Sequence, residues 1–128
     1  MLERERSVVN NGRTFRVPDE KAPRFPRKPT IHQDGDTLVM ECELEAYPAP
    51  DIVWYQGSKV ILDTGRIRMT KKSTGKDTYI LKLEINDPVP EDGGAYRCNA
   101  CNIYGESNAN IALNFQGTTY VLHVNIKR

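Results

Sequence analysis

The feature that most constrains this chain is a series of short segments in which apolar and polar residues alternate. In TLVMECELEA (37–46), every second residue from Leu38 to Leu44 is apolar, and three glutamates, Glu41, Glu43 and Glu45, lie on the other face. Alternation with this period is typical of a β-strand that buries one face. The same pattern recurs in DIVWYQ (51–56), RIRMT (66–70), TYILKLEI (78–85), AYRCNAC (95–101) and NANIALNF (108–115).

Turn-forming stretches separate these segments, and each is rich in glycine, proline, asparagine or aspartate: YPAP, QGSK, LDTG, KSTGKD, DPVPEDGG and NIYG. Six or seven short strands with a turn about every 8–12 residues predict an all-β protein, either a sandwich or a small barrel. No segment has a 3.6-residue apolar period over ten or more positions, so we expect almost no helix.

The segment 98–101 has the spacing of a C-x-x-C motif, which binds zinc or exchanges disulfides in other settings. On a strand, however, Cys98 and Cys101 point to opposite faces, with α-carbons about 10 Å apart. A disulfide needs about 4.4–6.8 Å between α-carbons. We therefore expect neither a metal nor a redox site, and no cofactor. Cys98 is predicted to be a core residue and Cys101 a surface or half-buried thiol.

The charges do not favour a polyanionic partner. The net charge is +1, with eight Lys/Arg and four Asp/Glu in residues 1–28 and a mildly acidic remainder. This balance gives no general attraction to nucleic acid or to an anionic membrane. No stretch reaches the ~18 apolar residues that a membrane span requires. Residues 1–22 are therefore interpreted as a solvated extension or linker.

Three further observations favour a reducing, intracellular setting. The N-terminal residues are charged and contain no apolar segment of a secretory signal. None of the asparagines lies in an N-x-[ST] glycosylation sequon, and three cysteines are an odd number for an extracellular disulfide framework.

A set of landmarks in this chain is similar to a known family. The landmarks are CELEAYPAPDIVWY, LKLEI, PEDGGAYRC and NIYGESNANIALNF, after Pro23-x-Phe25 and Gly35. They resemble the intermediate-set (I-set) immunoglobulin modules of the titin, twitchin and projectin group of giant muscle proteins, and of myosin light chain kinase and myosin-binding protein C. The resemblance covers residues 23–115. Residues 1–22 and 116–128 lie outside it.

The resemblance implies a fold and a set of structural residues. The fold is a two-sheet immunoglobulin sandwich with Cys on strand B, Trp on strand C and Tyr two residues before the Cys of strand F. The implied core is Cys42, Trp54, Leu83, Tyr96 and Cys98. The Tyr96 hydroxyl would bond to the backbone near residues 90–92. Asp92 would pair with Arg66 or with Arg68.

The function implied by the resemblance is structural. The chain would be a non-enzymatic module of a cytoplasmic sarcomeric filament protein, with neighbouring modules and other sarcomeric proteins as partners. Tension would load the backbone hydrogen bonds between the terminal strands, since in such a module the first strand can run parallel to the last. The alternative is an extracellular adhesion or receptor module, in which Cys42 and Cys98 would be oxidised.

Catalytic, calcium-binding and phosphate-binding roles for other residues are less favoured than structural ones. Glu91 and Asp92 lie in a turn without a nucleophile or histidine nearby, so general acid–base chemistry is not expected. The three glutamates of 37–46 lie along a flat strand and do not converge as calcium ligands do. MTKKSTGK (69–76) lacks phosphate-loop spacing and is predicted to be an exposed hairpin, with binding of an acidic partner as the alternative.

Two segments outside the family match also have strand patterns. VVNNGRTFRV (8–17) surrounds Asn11-Gly12, a favourable hairpin turn. TTYVLHVNIKR (118–128) alternates Tyr120, Leu122, Val124 and Ile126 with more polar residues. We expect residues 118–126 to add a strand to an edge of the sandwich, to the 8–17 segment or to a second copy of the chain. The alternative is a disordered tail.

Overall fold

The structure, a computed structural model, describes residues 5–116 and 119–123 of the chain. The described residues form twelve strands and one 3-10 turn, Pro90–Asp92. The strands are β1 (Glu5–Asn10), β2 (Arg13–Pro18), β3 (Lys21–Arg24), β4 (Thr30–Asp34), β5 (Thr37–Tyr47), β6 (Asp51–Gln56), β7 (Lys59–Val60), β8 (Ile67–Ser73), β9 (Thr78–Asn86), β10 (Gly94–Asn102), β11 (Gly105–Gln116) and β12 (Thr119–His123).

Ten of these strands form two sheets that pack face to face. One sheet has the order β3-β5-β9-β8, and β4 also pairs with β5. The other has the order β12-β11-β10-β6-β7. The alternating segments of the sequence form the centres of both sheets, because each has an apolar face that must be buried against another. The predicted all-β two-sheet sandwich is therefore confirmed.

The N-terminal strands form a separate two-stranded sheet. β1 and β2 pair from Glu5↔Pro18 to Asn10↔Arg13, which leaves a two-residue loop. The loop residues Asn11 and Gly12 have φ values of 51° and 74°. Two successive positive φ values define the hairpin turn for which Asn-Gly is the preferred sequence. The predicted strand pair of residues 8–17 is formed, within the segment that the sequence indicated as a linker.

Three strands, β3, β4 and β7, have no counterpart among the predicted segments. β3 and β4 flank Pro26 and Pro29 and have no clear alternation, and β7 has two residues. Their strand conformation follows from pairing with neighbours, β3 and β4 with β5 and β7 with β6. Such pairing is a tertiary contact that a local pattern does not report.

The expected backbone bonds between the first strand and the last are not formed in the described part of the chain, where β3 and β11 do not pair. Every strand pair in this part of the chain is antiparallel, and β3 and β4 both pair with β5. The outer edge of β11 is instead paired with β12, from Ala112↔His123 to Gln116↔Thr119. The C-terminal segment therefore returns along β11 in the same chain.

The core lies between the two sheets. Along β5 the buried residues include Leu38, Met40, Cys42, Leu44 and Ala46, in the alternation that the sequence predicts. The other buried members of this cluster are Trp54, Ile61, Tyr79, Leu81, Leu83, Ile85, Tyr96, Cys98, Ala100, Ala109, Ile111 and Leu113. Within residues 5–116 and 119–123, no helix is long and apolar enough to cross a membrane.

Candidate functional site

The centre of the core brings Cys42, Trp54 and Cys98 together. Cys98 on β10 is the cross-strand partner of Trp54 on β6, and Cys42 approaches from the opposite sheet. Each of the three is at most 2% exposed. The Cys98 and Cys42 thiols are both free and buried. Leu83 and Tyr96 are buried in the same cluster, so the structure places all five predicted core residues in it.

The two cysteines of the C-x-x-C differ completely in environment. The hydrogen bond with the Cys42 thiol, together with burial, raises the pKa of Cys98 and keeps this thiol protonated. Cys101 lies in register with Asp51 and Glu106 and is exposed. In the described part of the chain, no group of three or more His, Cys, Asp or Glu side chains could hold a metal ion.

A buried carboxylate organises the turn before β10. Arg66 donates two hydrogen bonds of 2.9 Å to the two oxygens of Asp92. The Val89 N–H donates to Asp92 at 2.8 Å, and the Tyr96 hydroxyl donates to the Asp92 carbonyl. The structure thus places Arg66, and not Arg68, against Asp92. These bonds tie β8, the 3-10 turn and β10 together at one end of the sandwich.

The electrostatics of this turn favour the charged pair. Burial opposes the ionisation of Asp92, but hydrogen bonds from Arg66 and Val89 outweigh it, so the pKa of Asp92 lies below its ordinary value. The hydrogen bond to Asp92 raises the pKa of Arg66. Burial raises the pKa of Tyr96, so its hydroxyl stays protonated and acts as a donor. These interactions hold the conformation of the turn before β10.

At the opposite end of the sandwich, three hydrogen bonds were not predicted from the sequence. Lys21 Nζ donates to Asp77 at 2.5 Å, and Asp77 is 8% exposed. The Asn102 side chain donates to the carbonyls of Lys21 at 2.8 Å and Pro48 at 3.1 Å. These residues hold β3 and the loop after β5 against the end of β10. They are up to 81 positions apart in the chain, and no local pattern signals such contacts.

An apolar groove lies between the edges of the two sheets, where β6 and the segment after β7 face β8. Its volume is about 430 Å³. The apolar side chains along it include Ile52, Trp54, Ile61 and Met69. Leu62, also on its lining, is 70% exposed.

The predicted partner strand is described in part. Tyr120 and Leu122 lie on β12, opposite Phe115 and Leu113 of β11. Val124 and Ile126 lie outside the described residues.

Comparison with known proteins gives a match over most of the chain. A family model for the immunoglobulin I-set domain matches residues 21–115. Human cardiac-type myosin-binding protein C is 32% identical over 114 residues, which cover 83% of this chain and 9% of that protein. Titin of Drosophila melanogaster is 26% identical over 123 residues, covering 90% of this chain and 1% of that protein. The chain thus spans a small part of each of these relatives.

Solved structures agree on the fold. A titin structure superposes with a TM-score of 0.61 at 21% identity, covering 72% of this chain and 47% of that one. A complex of Dpr2 with DIP-Theta gives a TM-score of 0.63 at 24% identity, covering 77% of this chain and 35% of that one. At these identities, the two likenesses establish the sandwich architecture only.

Proposed function

Because the chain belongs to the immunoglobulin I-set family, we propose that it is a structural, protein-binding module of an intracellular sarcomeric filament protein. Residues 23–115 would be the folded module, and residues 1–22 and 116–128 its extensions. The module would carry tension between neighbouring modules and bind other sarcomeric proteins, without catalysis. The relatives named for muscle support this function over that of an extracellular adhesion module.

The observation that carries the mechanical part is the position of the two ends of the sandwich. A methyl group placed at Gly105 would lie 3.4 Å from the Cβ of Ala22, so β11 begins beside β3. β11 then runs for twelve residues, or about 36 Å at 3.3 Å per residue, away from that point. The chain therefore reaches the sandwich at one end and completes β11 at the other.

This arrangement loads the strands along their length. Tension on Lys21 pulls β3 along β5, and tension on Gln116 pulls β11 along β10, with which it has nine paired residues. Sliding a strand requires its ladder hydrogen bonds to break together. β12 is different because it folds back along β11, and tension on the C-terminus would peel its five pairs from the His123 end one after another.

Single-molecule pulling tests this mechanism. With handles on residues 19 and 128, which leave the β1–β2 hairpin out of the loaded path, we expect an early low-force release of β12, followed by one cooperative high-force unfolding of the sandwich. A chain that ends at Gln116 should lose the first event and keep the second. A main event at a force no higher than the release of β12 would contradict the mechanical role.

Expression in cultured muscle cells tests the location. The tagged chain should form striations, and alkylation of the denatured protein should count three free thiols, since cytosolic disulfides are rare. Trp54→Ala, which leaves a cavity in the core, serves as the destabilised control. Uniform cytoplasmic signal would argue against a sarcomeric module, and one free thiol would favour the secreted alternative.

A further inference from the structure

β8 is the longest strand at a sheet end in the described part of the chain. It has seven residues, compared with two in β7, four in β3 and five in β12. β8 pairs with β9 on one side, and no described strand lies on its other side. The turn before β8 bonds only to the first residue of the strand, where the Ile67 carbonyl accepts a hydrogen bond from the Thr64 N–H. Alternate backbone groups from Arg68 onward therefore face outward at the edge, as an edge strand offers them.

The two sides of an added strand would meet different surfaces. Side chains alternate along β8, so Ile67 and Met69 face the core while Arg68 and Lys72 lie on the outer face of the sheet. A strand paired with β8 would follow the same alternation. One set of its side chains would enter the apolar groove beside Leu62. The other set would lie beside the guanidinium and ammonium groups.

The charge of this edge selects the partner. Residues 59–76 contain six Lys/Arg and one acidic residue, a net charge of +5 in a chain whose total is +1. Lys59, Arg68 and Lys72 are all exposed. A second copy of the chain would bring the same positive charges to the edge and be repelled. A partner strand with carboxylates on its outer face would be attracted instead.

We propose that the β8 edge and the adjoining groove bind an extended segment of a partner protein, in which acidic and apolar residues alternate, as an added strand. This inference rests on the proposed protein-binding function and specifies its surface and partner chemistry. Backbone bonds to β8 supply affinity, and the groove and the basic residues select the sequence. Lys71 closes one end of the groove, since its Nζ donates to the Pro50 carbonyl at 3.1 Å.

The test uses the full chain and a capped ten-residue peptide that alternates glutamate with valine or leucine. In ¹⁵N-resolved spectra, the peptide should shift the amides of residues 67–73 and of the groove. Lys72→Glu should weaken binding about tenfold, as charge reversal at an interface rim does. Lys28→Glu makes the same charge change on another exposed loop and should leave binding unchanged.

Two further changes separate strand addition from simple charge attraction. Leu62→Ser alters an exposed side chain of the groove and should weaken binding without unfolding the protein. Two peptides are N-methylated at alternate amides, one at the odd and one at the even positions. Only one of them should lose binding, because only one then carries methyl groups in place of the N–H donors that face β8. Equal binding of both methylated peptides would overturn the strand-addition geometry.

The remaining outcomes are also decisive. No binding at 1 mM peptide (a concentration on the order of the weakest specific affinities), or equal loss with Lys28→Glu, would overturn the proposal. Protection of the β8 amides that grows with protein concentration alone would identify a second copy as the occupant and overturn it too. If the peptide fails but the chain still forms striations in muscle cells, this inference fails and the proposed function stands. If the peptide binds but the chain forms no striations, the binding surface stands and the proposed sarcomeric function fails.

Discussion

Trp54 and Tyr55 are neighbouring aromatic residues on β6, yet they lie in different physical environments. Trp54 faces the opposite sheet and is 2% exposed, in the same buried cluster as Cys42 and Cys98. Tyr55 faces outward, where the Arg97 guanidinium lies 4.0 Å from its ring centroid. Because successive side chains on a strand point to opposite faces, Trp54 is buried while Tyr55 stays partly exposed to water.

The same contrast holds for charged groups. Asp92 is 5% exposed and accepts hydrogen bonds from Arg66 and Val89. On the outer face of β5, Glu45 pairs with Arg24 at 3.1 Å, with side-chain exposures of 31% and 67%. Water screens the outer pair more strongly than it screens the buried carboxylate. We expect the inner layer to determine stability and the outer layer to be available for binding.

The largest expected difference between the layers is in thiol reactivity. Cys101 should react with a bulky alkylating reagent on the folded protein, while Cys42 and Cys98 should react only after unfolding. With a free energy of unfolding of at least about 5 kcal/mol, the buried thiols should be protected by more than about a thousandfold. Time-resolved alkylation with mass spectrometry measures the ratio. Comparable rates at Cys42 and Cys101 would mean that the interior opens readily.

Truncation of the two aromatic neighbours should give the next largest difference. Trp54→Ala leaves a large cavity and should lower the free energy of unfolding by about 3–5 kcal/mol. Tyr55→Ala removes the contact with Arg97 and should cost about 1 kcal/mol. Urea unfolding of both variants measures the difference. Similar losses would refute the division into an inner and an outer layer on this strand.

Asp92→Asn should cost about 2–3 kcal/mol at neutral pH, less than a fully buried pair because Arg66 is 42% exposed. The lowered pKa of Asp92 means that its ionised form stabilises the folded state. This contribution is complete above the unfolded-state pKa of about 3.9 and is lost as the pH falls through the lower folded-state value.

Unfolding measured from pH 7 to pH 2 checks this dependence. The stabilities of the wild-type protein and the Asn variant should approach each other as the solution becomes more acidic. Glu91→Gln, on the exposed neighbour, should follow the wild-type curve. If the difference between wild type and Asp92→Asn did not change with pH, ionisation of Asp92 would not be its cause.

The smallest effect should come from the outer ion pair. Glu45→Gln should change the free energy of unfolding by less than about 1 kcal/mol, and added salt should reduce even this difference. Thermal unfolding at low and high salt tests it, with the Arg24→Gln variant as the matched partner. A loss above about 2 kcal/mol would show that the outer face contributes to stability as the core does.

Much of the fold could be predicted because the pleat has a fixed period. The alternation in 37–46 and 78–85 determines which side chains face inward, and the sequence alone therefore separates Cys98 from Cys101. The Asn11-Gly12 turn is equally local, since the preference for positive φ is a property of these two residues. The family landmarks Cys42, Trp54, Tyr96 and Cys98 could likewise be recognised from the sequence, because each lies at an inward position of its strand.

Only the tertiary structure decided which partners these residues have. The sequence left Arg66 and Arg68 as alternatives for Asp92, and the folded chain brings Arg66, just before β8, to it. The pairing of Lys21 with Asp77 and the return of β12 along β11 depend on contacts between distant segments. A local pattern records which face of a strand is apolar, because burial acts on each residue separately. It does not record which edge or charge lies opposite, since that depends on how the whole chain is arranged.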